Sequence, residues 1–334
     1  MDIDRALERA MEADDPGPAF AGRVIAAITG DAAAARPDRA STRTGRTVVW
    51  RALLPIAATL ALTVAGVRWQ AVDILDRIAV HDAIRTMKPQ AVYHCAGAAH
   101  VGQAWDTTTD TLATNVLGTH HVIEALRELS PDTHVLNTSS ALVYRPTSEP
   151  LDEQQPLLPA SPYGLSKLAQ ELVGGGNPNG PFVHIARPFN HFGPRQNPTF
   201  AGSAFARTIA LIEAGRMRPE IQVGNLEPLR DLTDVRDTVR AYQLILEHGT
   251  PGRPYNVCSG RPIKVGHLLD MMLRRAHVSI RVVVDPARYR PNDSPVVQGN
   301  PARIREELGW TPRVPLEQTI DDLLAFWRER PPAA

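Results

Sequence analysis

Short runs of apolar and β-branched residues alternate with helix-sized amphipathic segments over most of the chain. The strand-like runs lie at 90–97, 133–140 and 181–190. Between them, segments 107–129 and 161–173 carry apolar residues at spacings of three and four, which is typical of helices that bury one face. This alternation predicts a parallel sheet wrapped by helices, which is an α/β fold.

Helical patterns dominate the chain beyond residue 190. Four amphipathic segments lie at 202–215, 235–249, 263–276 and 316–330. One further strand-like run, 253–260, is expected to return to the sheet. We therefore predict a sheet domain over 68–190 and a smaller, mostly helical C-terminal lobe over 191–330.

The first 67 residues have a different pattern. Residues 1–46 are rich in alanine, aspartate and arginine, and we expect them to form a loose extension. Residues 52–67, ALLPIAATLALTVAGV, are uncharged and are flanked by Arg51 and Arg68. As a helix this run would rise about 24 Å, against the roughly 30 Å of a bilayer core. The hydrophobic helix predicted over 47–67 is therefore either membrane-spanning or membrane-associated, or it is packed in a core.

Composition limits the function classes. The chain of 334 residues is 43% hydrophobic, enough for a full core, and its 36 basic residues balance its 36 acidic ones. With no net positive field, we expect no nucleic-acid partner. The cysteines Cys95 and Cys258 lie in apolar runs and predict buried thiols of a reducing compartment, which favours a cytoplasmic protein, with membrane association as an alternative. Histidines and cysteines show no zinc spacing, so no metal is predicted.

One helical segment carries candidate chemistry. In SPYGLSK, Tyr163 and Lys167 are four residues apart and share one helix face. A nearby ammonium stabilises a phenolate, so we expect the pKa of Tyr163 to shift from about 10 toward neutrality and make it a proton donor or acceptor. Taken alone, this spacing also fits an ordinary surface pair.

A serine cluster precedes that helix. TSSALVY lies at the end of the strand-like run 133–140, so Ser140 is predicted at the carboxyl edge of the sheet, where its hydroxyl could bind a substrate carbonyl. Serines at such positions also serve as turn or cap residues. The two segments together favour an active site over these alternatives.

The order of these and other motifs carries a resemblance. The motifs are VDILD, YHCAGAAHVGQAW, NVLGT, SSALVY, YGLSK, ARPFNHFGPRQ, RDLTDVRD and RPND. From about residue 68 to 329 the chain resembles the extended short-chain dehydrogenase/reductases, most closely their GDP-6-deoxy-4-keto-D-mannose reductase branch. The resemblance implies a Rossmann-like, doubly wound parallel sheet. It also implies that 68–190 is a dinucleotide-binding domain and 191–330 mainly a substrate-binding lobe.

The resemblance assigns roles to individual residues. It implies that Ser140, Tyr163 and Lys167 form the catalytic set, with Lys167 binding the nicotinamide ribose. The implied contacts to NADP or NAD, with NADP favoured, are Asp73, Ile74, Ala96, Gly97, Asn115, Tyr163, Lys167 and Pro188. The implied contacts to the diphosphate of a GDP-sugar substrate are Asn190, Arg230 and Arg290, with Arg195 and Arg207 as weaker candidates. Dehydratases of the superfamily carry a glutamate just after the active-site hydroxyl, whereas Ala141 and Leu142 follow Ser140 here.

One family feature is missing. The family begins with a strand, a G-x-x-G-x-x-G turn and a helix whose N-terminal amides hold the pyrophosphate. No such spacing occurs in residues 1–72, so the first β-α-β unit is predicted to be missing or replaced. Each lost charge-assisted hydrogen bond is worth about 1.5–3 kcal/mol, so coenzyme affinity is expected to fall by orders of magnitude.

Three functional hypotheses follow. The first is reduction of GDP-4-keto-6-deoxy-D-mannose to a GDP-6-deoxyhexose by hydride transfer from NAD(P)H, with Tyr163 as proton donor. The second is a nucleotide-sugar 4-epimerase that keeps its NAD bound, and the third is a catalytically dead pseudoenzyme. The resemblance also implies a homodimer that pairs the helices around 110–128 and 161–173.

Overall fold

The computed structural model describes residues 70–175, 179–289 and 294–329. The predicted extension over 1–46 and the hydrophobic segment over 47–67 lie outside the described residues, as does Arg290. Within the described ranges, no helix is long and apolar enough to cross a bilayer.

The elements follow the predicted alternation. The strands are β1 (Ala91–His94), β2 (His134–Thr138), β3 (Phe182–Pro188), β4 (Asn190–Phe192), β5 (Glu220–Val223), β6 (Leu229–Asp234), β7 (Pro254–Val257), β8 (Pro262–Lys264), β9 (Arg281–Val284) and β10 (Val296–Val297). The α-helices are α1 (Arg77–Met87), α2 (Thr108–Leu112), α3 (Gly118–Leu129), α4 (Pro162–Gly175), α5 (Ala201–Glu213), α6 (Val235–His248), α7 (Val265–Leu273), α8 (Ala302–Leu308) and α9 (Leu316–Glu329).

The main sheet is parallel, with strand order β1–β2–β3–β7 among the described residues. Successive side chains of a strand point to opposite faces, so Val135 and Val183 pack against α1 and α3 on one face. Leu136 and Ala186 pack against α6 and α8 on the other. The predicted α/β fold is therefore confirmed, and the run 253–260 contributes β7 beside β3.

Local signals explain where the helices of this domain begin and end. Asp76 caps α1 by accepting hydrogen bonds from the amides of Ile78 and Ala79, and α1 ends at Lys88, whose φ of 44° lies in the left-handed region. Asp234 caps α6 through the amide of Arg236. These caps satisfy backbone amides that have no partner within the helix, and so define where both helices begin.

The segment predicted as one helix over 107–129 is interrupted. Between α2 and α3 the residues Ala113–Leu117 form a π-helical turn. Such turns are rare and frequently occur at functional sites, because the extra residue re-aims its neighbours. Here the turn directs Asn115 into the interior, where it is fully buried. Apolar periodicity does not distinguish a π turn from α-helix, so the sequence pattern missed it.

The C-terminal lobe contains more strand than predicted. Its helices α5, α7 and α9 enclose a hydrophobic core, as the amphipathic segments indicated. However, β4, β6 and β10 form a small parallel sheet to which β8 adds antiparallel, and β5 pairs with β9. These strands have two to six residues, and β6 (Leu-Arg-Asp-Leu-Thr-Asp) is largely polar, so they show no clear alternation. Helical residues still outnumber strand residues in the described part of the lobe, so the lobe is mostly helical as predicted, with short strands added.

The cysteine prediction holds for one residue of the two. Both Cys95 and Cys258 are free thiols, and Cys258 is fully buried. Cys95 is exposed, because it follows β1, which lies at the edge of the described sheet. Its Sγ lies 3.5 Å from Thr138 Oγ1.

His94, the last residue of β1, is buried in a neutral form. Its Nε2 lies 2.7 Å from Thr119 Oγ1, and Thr119 gives its hydroxyl proton to the carbonyl of Asn115 at 2.6 Å. The proton of the first contact must therefore reside on His94 Nε2. Burial lowers the pKa of His94 to about 4, and the charge of Lys167 acts in the same direction.

Acidification is therefore expected to destabilise the protein through His94. Between about pH 6.5 and 4 the unfolded chain binds a proton at this residue and the folded chain does not, so the free energy of unfolding rises with pH across this window. The full contribution is about 3 kcal/mol. Urea unfolding at pH 7.5 and 4.5 measures how much the free energy of unfolding falls on acidification. This decrease should be smaller in His94→Gln than in the wild type. In His267→Gln, which replaces an exposed histidine, it should equal that of the wild type. Equal decreases in all three proteins would contradict the assignment.

Candidate active site

The predicted catalytic residues come together at the carboxyl ends of β1 and β2. Ser140 lies two residues after β2 in extended conformation and caps a short 3₁₀ turn, with its Oγ accepting from the amide of Leu142 at 3.2 Å. Tyr163 is the second residue of α4, and its hydroxyl hydrogen-bonds the side chain of Ser140. Ser140 thus caps this turn, which is one of its two predicted roles, and its side chain also contacts Tyr163.

The ionisation of Tyr163 differs from the expectation. Burial raises the pKa of Tyr163 to about 12, and the hydrogen bond from Ser140 only partly offsets this. Lys167 does not lower it, because its Nζ lies 6.0 Å from the centroid of the tyrosine ring and is bonded elsewhere. The expected shift toward neutrality is therefore wrong for the protein alone. At neutral pH Tyr163 is a protonated phenol, which is the form that can donate a proton.

Lys167 is held between the sheet and its own helix. Its Nζ donates to the carbonyl oxygen of Thr138 at 2.8 Å and to Gln170 Oε1 at 2.9 Å. The side chain is buried, and this burial lowers the pKa of Lys167 to about 8. The thiol of Cys95 and the carboxylate of Glu171 act in the opposite direction. The amine can therefore carry a positive charge at neutral pH without a direct carboxylate partner.

Gly97 marks a close approach between β1 and this lysine. A Cβ built at Gly97 would lie 2.8 Å from Asn115 Oδ1 and 3.5 Å from Lys167 Nζ. Asn115 itself is fully engaged: Oδ1 accepts from the amide of Ala98 at 2.7 Å, and Nδ2 donates to Ser166 Oγ at 2.8 Å. Asn115 thus holds the loop after β1 against α4, and its contribution to the site is to fix this loop.

The remaining predicted coenzyme contacts are spread along the same edge. Asp73 is exposed and its Oδ1 accepts from the amide of Leu75 at 2.9 Å, while Ile74 packs against Gly118 of α3. Ala96 is exposed next to Gly97, and Pro188 is the buried last residue of β3.

The predicted substrate contacts lie in and around the C-terminal lobe. Asn190 is exposed at the start of β4, and Arg230 in β6 donates to the carbonyl of Leu229 at 2.8 Å. Arg195 adopts a left-handed φ of 73° in the segment after β4. The weaker candidate Arg207 instead stacks on Trp327, with its guanidinium carbon 5.9 Å from the ring centroid.

A buried ion pair beneath the site was missed from the sequence. Glu171 lies one turn after Lys167 and receives two hydrogen bonds from Arg187 of β3, at 2.9 and 2.7 Å. Ser139, the neighbour of Ser140, donates a short hydrogen bond to the same carboxylate. The spacing of four residues from Lys167 placed Glu171 on the catalytic face of α4, which is the signal that could have found it.

In the residues that the structure describes, no group of three histidine, cysteine or acidic side chains is placed to hold a metal ion.

Fold and site together define a class. A parallel sheet with helices on both faces and a serine, tyrosine and lysine at the carboxyl ends of its strands are the features of a Rossmann-type short-chain dehydrogenase/reductase. Comparison with known proteins gives the same class. The structure of RMD from Pseudomonas aeruginosa complexed with NADPH superposes with a TM-score of 0.75 at 32% sequence identity, covering 82% of this chain and 95% of that one. A Thermus thermophilus UDP-glucose 4-epimerase in complex with NAD gives 0.69 at 25% identity, over 77% and 83%.

Sequence comparison defines the family. The sequence model of GDP-mannose 4,6 dehydratase matches residues 58–323. The GDP-6-deoxy-D-mannose reductase of Pseudomonas aeruginosa is 36% identical over 247 residues, which is 72% of this chain and 81% of that protein. A GDP-mannose 4,6-dehydratase of Vibrio cholerae is 25% identical over 287 residues, or 76% of each chain. The chain belongs to the extended short-chain dehydrogenase/reductase family, in the group that the GDP-mannose 4,6 dehydratase model describes.

Proposed function

We propose that this chain reduces GDP-4-keto-6-deoxy-D-mannose to a GDP-6-deoxyhexose with NAD(P)H. The observation that carries the proposal is a buried, protonated Tyr163 hydrogen-bonded to Ser140, because reduction of a ketone needs a proton donor at the carbonyl oxygen. Ala141 and Leu142 occupy the positions where a dehydratase would carry its glutamate. The similarity to a GDP-6-deoxy-D-mannose reductase supports the same reaction.

The described residues fit the nicotinamide half of a dinucleotide. Gly97 follows β1 beside Lys167 and brings the backbone close to the site, because a Cβ there would lie only 2.8 Å from Asn115 Oδ1. Two of the three N–H groups of Lys167 are used on Thr138 and Gln170, so one can serve a ribose hydroxyl. When bound, the coenzyme supplies the hydride. The relative that superposes at 0.75 is complexed with NADPH, which supports NADP over NAD.

The protein's own contribution is proton transfer and charge placement. Ser140 and Tyr163 bind the C4 carbonyl oxygen of the substrate, and Tyr163 donates its proton as negative charge develops on that oxygen. Lys167, brought close by its ribose contact, stabilises the resulting phenolate. Asn190, Arg230 and Arg290 are proposed to bind the diphosphate, for which the guanidinium fork is suited.

Each of the other two hypotheses has one observation in its favour. A UDP-glucose 4-epimerase has the same fold, and such an enzyme needs no added coenzyme. The absence of a G-x-x-G-x-x-G spacing from residues 1–72 favours a pseudoenzyme instead. The homodimer and the membrane association of 47–67 stay predictions.

The deciding experiment measures coenzyme binding and product together. NADPH is titrated into the full-length protein and followed by fluorescence, and GDP-4-keto-6-deoxy-D-mannose is then added with and without NADPH. We expect one NADPH oxidised per GDP-6-deoxyhexose formed, with no product in its absence. Conversion of a nucleotide sugar to its C4 epimer without added NADPH would identify an epimerase. No quenching at millimolar NADPH and no turnover would identify a pseudoenzyme.

A further inference from the structure

We propose that Gln170 is a positioning residue that holds the amine of Lys167 in place and in its charged form. The catalytic meaning of this inference rests on the proposed function, whereas the contact itself is a property of α4. Gln170 lies three residues after Lys167 on the same helix and is fully buried. Its Oε1 accepts a hydrogen bond from Lys167 Nζ at 2.9 Å.

The orientation of the Gln170 amide points to this role. An ammonium group can only donate, so the carbonyl oxygen of Gln170 must face Lys167. In this orientation Nε2 of Gln170 is buried and has no hydrogen-bond partner. A buried donor without a partner opposes folding, and such groups call for an explanation where they occur. Here the hydrogen bond from Lys167 to Gln170 Oε1 offsets the cost of leaving Nε2 without a partner.

The other acceptor of Lys167, the carbonyl oxygen of Thr138, does not by itself fix the position of the amine. The carbonyl oxygen of Thr138 belongs to β2, which is fixed by its parallel pairing with β3. A single backbone acceptor leaves the long lysine side chain free to rotate about that contact. With Gln170 as a second acceptor, Nζ is held between sheet and helix, 3.5 Å from the point where a Cβ of Gly97 would lie.

Charged neighbours do not replace this contact. Glu171 is paired with Arg187 and Ser139, so its carboxylate acts on Lys167 only at a distance. The titratable groups that act on Lys167 or lie against its partners are Tyr163 and Glu171 of α4, His94 and Cys95 at the end of β1, and Tyr242 of α6, which hydrogen-bonds Thr138. None of these donates or accepts directly at Nζ in the described structure, so a neutral amide supplies the side-chain acceptor.

The test uses two variants of similar length with opposite expected effects. Gln170→Met removes the acceptor, and Gln170→Glu keeps it and adds a negative charge. The pKa of Lys167 is read directly by NMR titration of protein labelled with ¹³C at the lysine Cε, and its signal is assigned by its loss in Lys167→Met. We expect the pKa to fall by about one unit in Gln170→Met and to rise by about one unit or more in Gln170→Glu.

A kinetic measurement ties the contact to the reaction. In the pH profile of kcat/KM for NADPH, the alkaline limb should move to lower pH in Gln170→Met and to higher pH in Gln170→Glu. The reason is that Lys167 must be charged to bind the coenzyme ribose and to stabilise the phenolate of Tyr163. Gln243→Met, at an exposed glutamine of α6 that bonds Glu247, is the matched control and should leave the pKa and the profile unchanged.

The outcomes separate this inference from the proposed function. Opposite shifts of the Lys167 pKa in the two variants support the role of Gln170 whether or not NADPH is oxidised. An absence of NADPH oxidation would contradict only the proposed reduction. Shifts in the same direction, or no shift in Gln170→Met, would overturn the role of Gln170 and leave the reduction intact. If Gln170→Glu does not fold, the sign of the shift in Gln170→Met decides.

Discussion

Replacing Tyr163 with phenylalanine is expected to lower kcat by a factor of ~10²–10⁴, the usual contribution of a positioned general acid. The substitution removes one hydroxyl that is buried and hydrogen-bonded to Ser140. Without the Tyr163 hydroxyl, the carbonyl oxygen that is reduced has lost its proposed proton donor. Binding of NADPH should change little, because the phenyl ring keeps its position above Lys167.

A second tyrosine provides the matched control for this experiment. Tyr255 is also buried, and its hydroxyl donates to Glu307 at 3.0 Å, in contact with none of the catalytic residues. Tyr255→Phe should therefore keep its turnover while losing about 1 kcal/mol of stability. Steady-state rates with saturating NADPH check both variants. A kcat for Tyr163→Phe within threefold of the wild type would exclude the phenol as the proton donor.

Replacing Arg187 with methionine is expected to lower the free energy of unfolding by about 3–5 kcal/mol, because it leaves the carboxylate of Glu171 buried without its charge partner. Both side chains are nearly inaccessible, with exposed fractions of 4% and 5%. Arg187 also donates to the hydroxyl of Tyr144 at 3.0 Å, which in turn donates to Asn256 at 2.7 Å. The substitution thus interrupts a buried polar network that links α4, β3 and β7.

Two further variants show whether the loss comes from the unpaired charge. Arg281→Met breaks an exposed ion pair with Glu220 and should cost less than about 1 kcal/mol. The double variant with Glu171→Leu and Arg187→Met removes both charges and should recover most of the loss, since apolar side chains of similar size often replace a buried pair without cost. Urea unfolding measures all three. A double variant as unstable as Arg187→Met would show that shape or hydrogen bonding, not charge, dominates.

The Glu171–Arg187 pair is also connected, through Ser139, to the serine that we propose as catalytic. The hydroxyl of Ser139 donates to Glu171, and its amide donates to the carbonyl of Ala186 at 2.8 Å. Ser139 is therefore tied to both the helix and the sheet, and it fixes the backbone from which Ser140 projects. The proposed catalytic residues Ser140 and Tyr163 approach each other because α4 is bonded to β2 and β3 at this point.

Much of this architecture could be predicted from local patterns. The strands β1, β2, β3 and β7 lie within the predicted runs, because the spacing of apolar residues records which face of each element is buried. The helices α3, α4, α5, α6, α7 and α9 match predicted segments to within two residues where they extend beyond them, whereas α1 was not predicted. The pairing of Tyr163 and Lys167 was equally accessible, since a spacing of four residues on a helix places two side chains on one face. Short polar strands such as β6 and the π turn at Ala113–Leu117 could not be predicted, because they leave no distinct periodicity in the sequence.

What the amino-acid sequence determined by itself is therefore the order of the main-sheet strands and of most helices, the α/β class, and the serine, tyrosine and lysine that we propose as the catalytic set. The tertiary structure alone decided how these groups ionise and what holds them. The pKa of Tyr163 near 12, the Gln170 carbonyl at Lys167 and the Arg187 partner of Glu171 depend on burial and on contacts between distant segments. A local pattern carries no information about which remote atoms surround a side chain, and the desolvation and hydrogen bonding that set its chemistry come from those atoms.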